Sequence, residues 1–111
     1  MLGLLYAAFV HSKVDEMENI AKAEGVPVHY VDANTITAHP GISVKHVLGL
    51  YDPKRNFIMI DERQKLDAYI LAHELGHYFA IKHWNDCSEE TADDIAVNLL
   101  KHGKKYLEVF D

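Results

Sequence analysis

At 111 residues, with 49% hydrophobic and 25% charged residues, the chain has the composition of one globular domain rather than of a disordered segment. Its formal net charge of -6 argues against non-specific nucleic-acid binding, which needs a basic stripe. The single cysteine, Cys87, excludes an intrachain disulfide and fits a reducing cytoplasm.

The opening MLGLLYAAFV is apolar but too short to span a bilayer. It lacks the basic start and cleavage site of a signal peptide, so a helix packed on the domain, no membrane partner and a cytoplasmic location are expected. Ser12 is predicted to cap a helix reaching Glu24, with Val14, Met17, Ile20 and Ala21 as its apolar face and Gly25 as its stop. The N-terminal helical region is thus placed at residues 1–24. VPVHYV, Val26 to Val31, reads as a strand, and DANTITAHPGIS as a polar connection. Val47 to Tyr51 and Phe57 to Ile60 are apolar runs joined by DPKRN, which predicts a hairpin. A long helix is expected from Glu62 to Trp84 and another from Ser88 to His102, stopped by Gly103. The basic run His102 to Lys105 is expected to cap that helix rather than bind phosphate. This order predicts one α+β domain over residues 1–111, with a short antiparallel or mixed sheet at 26–61 packed on the two helices.

The chemistry concentrates in AHELGHYFAIKHW, Ala72 to Trp84. At about 100° per residue, Leu66, Tyr69, Ile70, His77, Ala80 and Trp84 fall within about 60° of His73. Both histidines are therefore expected in the middle of an apolar stripe, where imidazoles destabilise unless their nitrogens are satisfied. Four residues apart, they share one helix face, as two ligands of a tetrahedral Zn²⁺ do. Glu74 follows the first histidine and lies to one side, where a carboxylate can take a proton from an activated water. Together they form a HExxH motif. The alternative is a pair of core histidines satisfied by hydrogen bonds alone.

Three residues compete as third ligand. His83 would complete a HExxHxxGxxH pattern, but Ala80 stands where that pattern turns at glycine. In a continuing helix His83 lies about 9 Å along the axis and about 120° around from His77. Cys87 is a soft donor, though a lone thiol is more commonly structural. Glu89 opens the next helix behind the N-cap Ser88, about 50° from the centre of a stripe of Ala92, Ile95, Ala96, Leu99 and Leu100. Glu90 lies about 150° away and, like Asp94, reads as a solvated charge. Asp93, one turn past Glu89, is placed to accept the free N–H of a ligating histidine. For Glu89 and Asp93 the plain alternative is stabilisation of a helix N-terminus.

With these residues in view, the sequence resembles the ImmA/IrrE family of zinc metallopeptidases. LAHELGHYFA is similar to that family's active-site helix and EETADDIAVNLL to its following segment. Upstream, the order GVPV, GLY, FIMID also matches, and the resemblance covers roughly Ile20 to Leu100. It implies a small zincin-like fold and a cytoplasmic zinc endopeptidase with one Zn²⁺ per chain. His73, His77 and Glu89 would be the ligands, Glu74 the catalytic base, and Asp93 a support for a ligating histidine. Known members cleave or antagonise helix-turn-helix repressors of mobile elements, prophages or stress genes, so the expected partner is a separate repressor protein. Direct nucleic-acid binding is not expected. Tyr51, Tyr78 and His46 are candidates for stabilising an oxyanion or contacting substrate, and an extended substrate is expected at a sheet edge near Tyr51 or Phe57. The alternative from another class is a metal-stabilised binding module that sequesters its partner without cutting it. A structural zinc domain would want four protein ligands.

Overall fold

The structure, a computed structural model, describes residues 2–40 and 48–111, with side chains from residue 12 onward. His46 and Val47 lie outside the described residues. Over the described residues the chain is an α+β domain of four helices and a mixed three-stranded sheet. Helix α1 spans Leu2–Ala23 without a break. Ser12 is therefore inside it and not its cap, because the apolar opening supplies turns that continue the same helix. Val14, Met17, Ile20 and Ala21 are its buried face, as the spacing predicts.

The sheet contains β1 (Val28–Val31), β2 (Gly49–Asp52) and β3 (Phe57–Asp61), in the order β1-β3-β2. β1 runs parallel to β3, and β2 pairs with it antiparallel, Tyr51 opposite Ile58. Phe57 thus belongs to the central strand and offers no edge, whereas β2 is an edge strand among the described residues. The DPKRN turn is built by Asp52, whose buried carboxylate accepts the N–H groups of Lys54 and Arg55 and pairs with His39 and the Arg55 guanidinium. Burial opposes its ionisation, but those bonds outweigh the cost and hold its pKa down at about 2. Between β1 and β2 the expected polar connection contains a short helix, α2 (Ala33–Thr37), capped by Asp32 and anchored by the buried Ile36.

The helix expected from Glu62 is broken. A 3-10 turn occupies Glu62–Gln64, and helix α3 runs from Ala68 to Trp84. The cause is local capture of backbone N–H groups by aspartates, Arg63 N–H by Asp61 and Tyr69 N–H by Asp67. Leu66, between the two caps, is exposed. Asn85, at φ 52°, ends α3. Ser88 then caps α4 (Glu89–His102) by accepting the Thr91 N–H. The buried face of α4 is Ala92, Ile95, Ala96 and Leu99. After it, Gly103–Phe110 form a 3-10 segment that the sequence did not signal. Tyr106, Leu107 and Phe110 of this segment pack on the core.

The α3–α4 contact sets the site. A Cβ at Gly76 would stand 3.0 Å from the Ala92 Cα and collide with the Ala92 carbonyl. Gly76→Ala is therefore expected to destabilise the protein by about 1–3 kcal/mol, the usual range for overpacking, despite the roughly 1 kcal/mol that alanine gains over glycine within a helix. Urea unfolding measures the difference. A gain in stability would show that α4 recedes at little cost.

Candidate metal centre

His73 and His77 are both half-buried on α3, and the structure shifts the frame in which the sequence placed them. Leu71, Ala72, Glu74, Leu75, Gly76, Tyr78, Phe79 and Ala80 are the buried residues of α3. Tyr69 and Trp84, which share the histidines' stripe, are 41% and 54% exposed. The expectation of histidines in the middle of the core stripe is therefore corrected. Apolar residues lie nearly all round α3, and the His73 stripe is the side left partly open, where α4 begins.

On that side the donor atoms converge. His73 Nε2 lies 2.7 Å from Glu89 Oε2, and His77 Nε2 lies 3.2 Å from Glu89 Oε1. The two imidazoles meet edge-on, with centroids 4.9 Å apart. One ligand atom from each of His73, His77 and Glu89 falls within 4.8 Å of the other two, a group that can hold a metal ion. Tetrahedral zinc with bonds of about 2.0–2.1 Å keeps its donors about 3.4 Å apart, so the 2.7 Å His73–Glu89 contact would have to open for this nitrogen and oxygen set to hold the ion. Glu89 is mostly exposed, which lets its carboxylate adjust.

Asp93 stands one turn along α4. Its Oδ1 lies 2.7 Å from His73 Nδ1 and accepts the Tyr69 hydroxyl at 2.5 Å. With Nδ1 held by Asp93, His73 presents Nε2 to the cluster. The Tyr69 bond lowers the Asp93 pKa, and Asp93 in turn pushes the Tyr69 phenol up to about 12. Burial works against a charged His73, but Glu74, Glu89 and Asp93 together raise its pKa.

Glu74 is buried beneath β2 and lines a cleft together with Leu48, Gly49, Tyr69, Ile70 and His73. Gly49 permits this close approach, since a Cβ there would lie 3.3 Å from Glu74 Cγ and 3.1 Å from Ile70 Cγ2. Burial pushes the Glu74 pKa up to about 7. His73 and a backbone hydrogen bond from Tyr51 pull it down, and Glu89 adds to the rise.

The remaining candidates lie elsewhere. His83 is stacked on Phe110 with centroids 4.5 Å apart, away from the donor cluster. Cys87 is free and exposed in the α3–α4 turn. The Tyr51 hydroxyl donates to Asn56 and the Tyr78 hydroxyl to Glu24. Tyr69 was missed as a site residue. Its spacing was the available signal, because Tyr69 precedes His73 by one turn just as Glu89 precedes Asp93.

Among the described residues no helix is long and apolar enough to cross a membrane. Comparison with protein-family models, curated proteins and solved structures finds no match to this chain.

Proposed function

We propose that this protein is a small zincin-like endopeptidase that holds one Zn²⁺ through His73, His77 and Glu89 and uses Glu74 as its general base. The observation that supports this best is the convergence of those three ligand atoms beside a buried glutamate that lines a cleft. Bound zinc would supply a Lewis acid for the scissile carbonyl and make water more acidic. The Glu74 carboxylate would accept a proton from an attacking water and return it to the departing amine. Asp93 holds His73 in the tautomer that presents Nε2. Among the described residues β2 is an edge strand, and its Gly49 lies against Ile70 and Glu74, so an extended segment pairing with that edge would bring a peptide bond to the cleft.

The substrate we propose is a separate helix-turn-helix repressor of a mobile element, prophage or stress response. The order of motifs from GVPV to EETADDIAVNLL supports it, and the chain's acidity argues against a direct role on DNA. A flexible linker between the repressor's domains can extend along the cleft, whereas a folded domain cannot. Mixing purified protein, zinc and the repressor encoded beside it is expected to give two discrete fragments by mass spectrometry, with casein left intact. A repressor that leaves its operator uncut would instead show antagonism by binding.

A further inference from the structure

Resting on the zinc site proposed above, we propose that Tyr69 is a positioning residue for the metal centre, acting through Asp93 to fix the orientation of His73. The geometry is a two-rung ladder between helices. On one rung, Glu89 of α4 meets His73 and His77 of α3. On the other, Asp93 of α4 meets Tyr69 and His73 of α3. Both donors of the second rung reach the same oxygen, Asp93 Oδ1, at 2.5 and 2.7 Å.

Asp93 needs such a clamp. Its side chain is 53% exposed, so water competes for the carboxylate, and a freely turning carboxylate would not hold one imidazole tautomer. The Tyr69 hydroxyl, donating a short charge-assisted bond, fixes which oxygen faces His73. The phenol ring also lies tilted beside the His73 imidazole, with centroids 6.1 Å apart. Phenylalanine would keep that ring and lose only the hydroxyl.

The test is zinc affinity, measured by competition with a chromophoric chelator, for wild type, Tyr69→Phe, Asp93→Ala and the double variant. Groups that orient a metal ligand typically contribute about 10–100-fold in affinity. Asp93→Ala is expected to lose an amount in that range and Tyr69→Phe about 10-fold, near its lower end. The double variant should be no weaker than Asp93→Ala alone, since the hydroxyl acts only through the carboxylate. Proton–nitrogen NMR of the zinc-loaded protein adds a readout that simple packing would not move. The His73 Nδ1–H signal should be protected from exchange in wild type and exchange-broadened in Tyr69→Phe.

Wild-type zinc affinity in Tyr69→Phe, or losses that add in the double variant, would overturn the role of Tyr69 while leaving the zinc site intact. A wild type that binds no zinc would overturn the site itself, and the role of Tyr69 with it.

Discussion

Glu74→Gln is expected to keep the fold and the zinc and to lose peptide hydrolysis by about 10²–10⁴-fold, the contribution of a general base. The amide has nearly the same shape and its oxygen can still accept from the Tyr51 backbone, but it cannot take a proton from water. The same substitution has a second signature in zinc-free protein. Burial raises the Glu74 pKa from 4.5 to about 7, so the folded state favours the protonated carboxyl. That contribution is fully present below about pH 4.5 and is lost as pH rises towards 7. Glutamine does not ionise, so this part of the decline should vanish in the variant, as urea titrations across that window can show. A Glu74→Gln protein with undiminished biological activity would favour a module that sequesters its partner over a protease.

Loss of a ligand is the second large effect. His73→Ala, His77→Ala and Glu89→Ala are each expected to weaken zinc binding by more than the roughly 10–100-fold typical of supporting groups, since each removes a bond to the ion. His83→Ala and Glu90→Ala should bind zinc as the wild type does. The His83 ring lies in a stack with Phe79 and Phe110, so its removal is expected to loosen the C-terminal 3-10 segment and leave the metal in place. Metal analysis of the dialysed variants, with circular dichroism to confirm folding, separates the two groups. Zinc loss in His83→Ala would point to a different ligand set.

The parts of the site visible in the sequence are those governed by helical spacing. His73 and His77 share a face because four residues make about one turn, and Glu89 and Asp93 do so for the same reason. Ser88 signals where their helix begins, since its side chain takes the Thr91 N–H. The depth of that face was less visible. Periodicity locates a core only when a helix has one wet side, and α3 packs against the sheet through some residues and against α4 through others. The side that looked central is the cleft. Nor does spacing reveal that α3 and α4 approach closely enough to need Gly76, because that distance depends on Ala92 in another helix.

Other misses have separate causes. Asp61 and Asp67 each draw a backbone N–H out of the helix expected to begin at Glu62. The polar segment after β1 hides a short helix whose one buried anchor is Ile36. Residues 103–110 follow a glycine stop and carry only scattered apolar side chains. They form structure because Phe110 finds Phe79 and His83 on α3, a partnership between distant parts of the chain. Tyr69 reads from sequence as one more apolar position, and only the placement of Asp93 gives its hydroxyl a role.

The central claim is that one zinc ion sits between α3 and the start of α4. It is tested most directly by diffraction from crystals of zinc-loaded protein, with data on both sides of the zinc absorption edge. The account predicts one anomalous peak per chain, bonded to His73 Nε2, His77 Nε2 and a Glu89 oxygen at about 2.0–2.2 Å. Glu74 should be near the ion but not bonded to it. No peak there, or a peak held by His83 or Cys87 in place of Glu89, would contradict it.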